Sequence, residues 1–138
     1  MKKIYFTIML VMLALSSCSK DDSEGTFTLE VNVNYQNDIL NKMIYEDGAE
    51  VYVFEYIEAW KDSPSNWEYT YLDNGYIKSN LTNNQVKYTQ FKLTSTGTAT
   101  FEVPKGLHTV VIKSNKIDDW TMVKINMNKS QTSTYEFK

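Results

Sequence analysis

The residues able to do chemistry are few. Cys18 is the single thiol, His108 the single imidazole, and the 138-residue chain contains no arginine. One histidine excludes a His-paired metal site and leaves at most one imidazole base. His108 alternates with Val110 and Ile112, which gives it a structural place on a strand. The paired acids Asp21-Asp22, Glu46-Asp47 and Asp118-Asp119 have the ligand chemistry of calcium. None stands in an EF-hand-like repeat, and acids in loops are ordinarily just solvated. The remaining concentration is aromatic: Tyr52, Phe54, Tyr56, Trp60, Trp67, Tyr69, Tyr71 and Tyr76 crowd into 25 residues of a chain that is 14% aromatic overall. On an exposed hairpin, Trp60, Trp67, Tyr69 and Tyr71 would stack on sugar rings or grip a protein partner. Turned inward, the same side chains would fill a core or pair across strands. The sequence alone leaves both readings open.

The surroundings of the thiol are more specific. Lys2 and Lys3 form a positive n-region, and residues 4–15 form an apolar run interrupted only by Thr7. That is the layout of a secretory signal peptide, and it is shorter than the roughly 20 apolar residues of a spanning helix. Leu15-Ser16-Ser17-Cys18 closes the run and resembles the lipobox of bacterial lipoproteins, in which the chain is cut just before the cysteine. The resemblance implies cleavage between Ser17 and Cys18, with Cys18 as the mature N-terminus carrying diacylglycerol and palmitate-type chains. Two or three acyl chains anchor stably where one does not, so the implied partner is a membrane. An acylated Cys18 could not serve as a nucleophile. The alternative is a soluble secreted chain cut at a nearby small residue, with Cys18 a loose thiol, itself an anomaly in an exported protein. Ser19-Lys20-Asp21-Asp22 resembles the tag that moves some lipoproteins of Gram-negative bacteria to the outer face of the outer membrane. Read without the resemblance, it is a solvated tether. The sequons at Asn80-Leu81-Thr82 and Asn128-Lys129-Ser130 would matter only in a eukaryotic secretory route.

The organisation expected is a signal peptide over residues 1–17, a lipidated flexible tether over 18–25 and one domain over 26–138. Removing residues 1–17 from 138 leaves 121, enough for a single buried core. The signal segment takes two of the 14 lysines with it, so 12 face 17 acids and the mature formal charge is −5. With that balance and no arginine for bidentate phosphate or base contacts, nucleic acid is a poor partner. No cofactor is expected. Without a second cysteine the domain must be stabilised by packing.

The elements that must position these residues repeat with period two. Phe27, Leu29, Val31, Val33 and Tyr35 alternate with Thr28, Glu30, Asn32 and Asn34, the pattern of a half-buried antiparallel strand. Further strands are expected over 49–57, 86–93, 98–103, 107–113, 120–127 and 132–137, with a hairpin pairing 67–72 to the segment after Asp73-Asn74-Gly75. Residues 37–45 have some helical spacing but suit a loop with one turn. This many strands between turns favours a β-sandwich of about seven to eight antiparallel strands over an open sheet.

The segment Gly97-Thr98-Ala99-Thr100-Phe101-Glu102-Val103-Pro104-Lys105-Gly106-Leu107-His108-Thr109-Val110-Val111-Ile112 carries a second resemblance. It is similar to the Gly-x-Ala-x-Phe-x-Val-Pro-x-Gly-x-Tyr-x-Val hairpin of transthyretin-like and Cna-B-like sandwiches, including carboxypeptidase regulatory-like domains. Gly48-Ala49-Glu50-Val51-Tyr52-Val53 resembles the Gly-x-x-Val-x-Val strand of the same group. His108 stands where that group has Tyr, and residues 59–85 are longer and more aromatic than a minimal domain needs. The first strand contains no lysine, so the Lys–Asn isopeptide bond of some Cna-B domains is not carried over. The resemblance implies adhesion, stalk or packing roles and rarely an enzyme.

Three roles compete on these grounds. The first is a non-catalytic surface lipoprotein whose sandwich binds a glycan or protein. The second is a structural subunit of an envelope or fimbrial assembly, favoured if an apolar edge strand such as 132–137 stood unpaired. An enzyme, third, would need a cleft gathering His108 with Asp118 or Asp119. Replacing Cys18→Ser is expected to abolish incorporation of labelled palmitate and to move the chain from the membrane to the soluble fraction. Retention of both label and membrane association would overturn the lipobox reading.

Overall fold

The computed structural model describes residues 25–56, 69–72 and 74–138. Cys18 with its flanking Ser17, Ser19, Lys20, Asp21 and Asp22, as well as Trp60 and Trp67, lies outside the described residues, as do the expected signal peptide and most of the expected tether. Every described element is a strand, and among the described residues no helix is long and apolar enough to cross a membrane.

One sheet is built around β1 (Thr26–Asn37), the long alternating strand. Its flanks are β11 (Gln131–Phe137) on one side and, on the other, β8 (Thr98–Pro104) followed by β2 (Lys42–Tyr45). A second sheet runs β10 (Trp120–Met127), β9 (Gly106–Lys113), β3 (Glu50–Glu55), β7 (Gln90–Leu93). A third, small sheet joins β4 (Tyr69–Tyr71), β5 (Tyr76–Ser79) and β6 (Gln85–Lys87). The expected all-β sandwich is therefore present, with eleven strands among the described residues and one parallel pairing, between β1 and β11.

Alternation explains the main core. Leu29, Val31 and Val33 of β1 and Ala99, Phe101 and Val103 of β8 turn inward to meet Val51, Val53, Val110 and Ile112 of the second sheet. The second sheet is also covered on its other face. There Tyr52, Phe54, Val111 and Met122 pack with Tyr69 and Ile77 of the small sheet. A strand covered on both faces should be apolar at consecutive positions, and all four residues 51–54 of β3 are buried.

Three local readings change. Residues 38–41 form a turn, with Asn41 at φ 48°, and residues 42–45 form a strand paired to β1, so the helical spacing at 37–45 has no helix behind it. Ile39, 94% exposed, has no core to face. The strand expected over 86–93 is split between two sheets at Tyr88-Thr89, where the Thr89 N–H and hydroxyl both donate to the Val53 carbonyl, at 2.8 and 3.0 Å. Strand β11, named as the edge whose exposure would favour an assembly role, is parallel-paired to β1 on one side from Leu29–Gln131 to Tyr35–Phe137 and ends the sheet on the other, with its apolar Phe137 buried.

The segment that carried the second resemblance forms both expected strands but no hairpin: β8 pairs with β1 in the first sheet and β9 with β3 and β10 in the second, so Pro104-Lys105-Gly106 carries the chain from one sheet to the other. Ala99, Phe101 and Val103 are buried, Pro104 ends β8 opposite Thr26, and Gly106 has φ +129°, open to glycine and strained for other residues.

A buried carboxylate ties together two of the crossings between the large sheets and the hairpin loop β9–β10. Glu46 is 0% exposed, and its carboxylate accepts from the Ser114 hydroxyl at 2.8–2.9 Å and from the N–H groups of Asn115 and Lys116. The Glu46 N–H donates to the Val33 carbonyl, and its own carbonyl accepts from the Thr94 hydroxyl. Beside it, Asp47 accepts from the Gly97 N–H at 2.9 Å. Connections β2–β3, β7–β8 and β9–β10 are thereby fastened at one end of the sandwich. The acids read as candidate calcium ligands at Glu46-Asp47 instead bind the chain's own donors. Replacing Glu46→Ala strands the Ser114 hydroxyl and the Asn115 N–H, each worth roughly 1–3 kcal/mol when orphaned, while the Lys116 N–H keeps its bond to Ser114 Oγ. A loss of about 3 kcal/mol in urea unfolding is expected, with Glu46→Gln losing less. Two unchanged midpoints would show that the knot is not structural.

Candidate functional site

The strongest cluster of polar and aromatic groups lies on the outer face of the second sheet, at the end fastened by Glu46. Alternation puts Glu50, Tyr52 and Phe54 of β3 on that face, because Val51 and Val53 point into the main core. Register then builds rows across the sheet. Glu50 lies opposite Lys113 and Leu93, and Lys113 opposite Trp120. Tyr52 lies opposite Phe91 and Val111, and Val111 opposite Met122. Tyr71 and Tyr88 come onto the same face from the small sheet and its continuation.

Tyr52 is the hub. Its ring stacks on Phe91, with centroids 4.7 Å apart and planes at 25°, and lies 5.2 Å from Tyr88 and 5.7 Å from Tyr71. Its hydroxyl donates to Glu50 Oε2. The Tyr71 hydroxyl lies 2.8 Å from the same oxygen and 2.9 Å from Tyr52 Oη, so its one proton serves one acceptor at a time. Trp120 stands 6.2 Å from Tyr71, and Lys113 Nζ lies 5.1 Å from the Tyr71 centroid, a cation–π arrangement. Around this buried hub, Phe91 and Leu93 are exposed, while Glu50, Tyr71, Lys113 and Trp120 are half-buried.

The electrostatics keep both phenols neutral. Burial, and then its bond to the Glu50 carboxylate, push Tyr52 up to about 12. Tyr71 is raised for the same chief reason, burial, with its hydrogen bonds to Tyr52 and Glu50 adding to it. The arrangement offers a carboxylate acceptor, hydroxyl donors, a cation and ring faces, which is binding chemistry.

Of the residues singled out in the sequence, Tyr69 is only 6% exposed and packs in the second core, so it has no free face for a ligand. Tyr71 joins the cluster, half-buried. His108 is buried, and its Nε2 lies 2.8 Å from the Pro104 carbonyl. It is paired to Ile125, five residues along β10 from Trp120, or about 17 Å, so it does not meet Asp118 or Asp119 in one cleft. Among the described residues no group of three or more His, Cys, Asp or Glu is placed to hold a metal ion. Sequence reading missed Glu50, Lys113, Trp120 and Phe91. Glu50 was visible as the polar start of an aromatic alternation, but its row with Lys113 and Trp120 exists only through pairing across three strands.

No family model matches the chain, and no curated protein matches it. Among solved structures, BcpA, the major pilin subunit of Bacillus cereus, is similar at a TM-score of 0.37 and 13% identity, covering 81% of this chain and 29% of that chain. The chain thus spans under a third of that pilin, and nothing about function follows from a likeness this slight.

The raised phenol has a consequence in alkali. Held to about 12 in the folded chain against 10.0 when unfolded, the Tyr52 proton contributes stability that is complete below pH 10 and lost as pH rises toward 12. Tyrosinate absorbance of the native chain should show late-titrating groups in that window, and Tyr52→Phe should remove one and flatten the loss of stability. Titration of every tyrosine near 10 would contradict the hydrogen-bonded hub.

Proposed function

We propose that this chain is a lipid-anchored, non-catalytic binding module of the bacterial cell envelope, of the transthyretin-like or Cna-B-like kind. Cys18 holds it at the outer membrane and the domain faces the cell exterior. The observation that carries the reading is where the aromatic–carboxylate cluster sits relative to the tether. The tether joins at Gly25, whose carbonyl accepts from the Lys105 N–H in the β8–β9 turn. From Gly106 in that turn, β9 runs seven residues, or about 23 Å, to Lys113 in the cluster. A chain attached at the first end presents the second outward.

The ligand class that fits is a saccharide. Sugar C–H faces stack on the rings of Trp120 and Phe91, and sugar hydroxyls donate to Glu50. Chemistry-capable groups elsewhere are occupied: Glu46 by loop donors, His108 by the Pro104 carbonyl. Protease shaving of intact cells should remove the domain, and a glycan array probed with the full chain should show binding that Trp120→Ala and Glu50→Gln weaken by about tenfold with folding intact. Full protection from protease would refute outward display. Binding unchanged in both variants would refute this face as the ligand site.

A further inference from the structure

We propose that the open edge of β2 is a docking site for an extended apolar strand of a partner protein, separate from the saccharide face. The β1–β2 hairpin projects past the rest of its sheet: β8 pairs with β1 only as far as Asn32, and β11 only as far as Tyr35. Its tip carries Ile39 at 94% and Leu40 at 55% exposure, and Tyr45 at its base is 68% exposed. A groove of about 400 Å³ runs along it, lined by Asn34, Leu40, Lys42, Met43, Ile44 and Tyr45. Aliphatic side chains at the tip suit a protein surface better than a sugar ring.

Hydrogen bonding selects the occupant. The Glu46 N–H donates to the Val33 carbonyl, and antiparallel partners alternate between bonded and non-bonded pairs. In the register Tyr35–Ile44 and Asn37–Lys42, that alternation turns the main-chain groups of Ile44 and Lys42 toward β1 and those of Met43 and Tyr45 outward. Among the described residues no strand pairs with that side of β2. The other edges of the two large sheets carry polar or charged side chains. Side chains of Gln90 and Lys92 on β7 donate to the Glu102 and Thr100 carbonyls of β8, and β10 and β11 carry exposed Lys124 and Glu136. Residues 43–45 of β2 carry no charge. An occupant matching main-chain groups at alternate residues together with an apolar groove is an extended strand, the mode of β-augmentation.

The test uses the purified full chain in detergent and two probes, an alternating Val-Thr hexapeptide and the same peptide N-methylated at alternate residues. Amide shifts on titration should be saturable and confined to Asn34 and residues 39–46, and the N-methylated peptide should bind at least about tenfold more weakly. Met43→Pro removes an outward N–H while sparing the β1–β2 ladder, and it should weaken the parent peptide by a similar factor without altering saccharide binding. Absent shifts, or equal binding of the two peptides, would overturn the proposal; the peptide comparison stands even if the proline variant fails to fold. Sedimentation showing a dimer that Met43→Pro abolishes would overturn it in favour of a second copy.

Discussion

The sandwich depends on one buried carboxylate. Two sheets that exchange strands must route the chain across the gap, and each crossing brings main-chain groups to the rim of an apolar core where water is scarce. Glu46 serves two crossings and one hairpin loop from a single position. It continues the β1–β2 ladder through its N–H, receives the β7–β8 crossing through its carbonyl, and caps the β9–β10 loop with its carboxylate. Ser114 extends this by accepting from the N–H groups of Lys116 and Ile117. A charge in this place costs desolvation, and the donors converging on it offset that cost. Gly97 shares the constraint. Its φ is +77° and an added Cβ would come 2.7 Å from Tyr45 Cβ, so the turn before β8 closes tightly over the end of β2.

The aromatic–carboxylate face inherits its geometry from this knot. Glu50 follows Glu46 by four residues, and Lys113 immediately precedes Ser114, so a row of partners across β3 and β9 begins where the fastened loops end. Strands leaving a rigid rim keep register, and register is what sets a carboxylate, a cation and two aromatic rings beside one another. The small third sheet completes the site by laying Tyr71 over Tyr52 and withdrawing the centre of the cluster from solvent.

Legibility in the sequence followed the range of the interaction. The strands β1, β8 and β9 and the turn at Pro104-Lys105-Gly106 were readable because alternation and a Pro-x-Gly turn are local signals, whereas the pairing of β8 with β1 and of β9 with β3 and β10, which makes that turn a crossing between sheets, was not. The break at Tyr88-Thr89 was not readable, since it arises from a bond to Val53, 36 residues away. Glu46 looked like any loop acid because its partners lie 68 to 70 residues further on. Tyr69 and Tyr71 differ by two positions, so alternation assigns both to one side of β4. Only the layer packed against that side decides that one is sealed in the core and the other sits at the rim.

The pairing of β1 with β11 sets the order in which the molecule can be made. Thr28 and Ser130, bonded at the mouth of that ladder, are 102 residues apart, so the first strand of the domain cannot be completed until the last is present. Contacts this distant carry a large loop-closure cost before they yield stability, which makes their formation a late and slow step. A chain in which β11 has not yet formed therefore holds Leu29, Val31 and Val33 short of one flank of their sheet. The first sheet closes only when residues 131–137 have docked along β1.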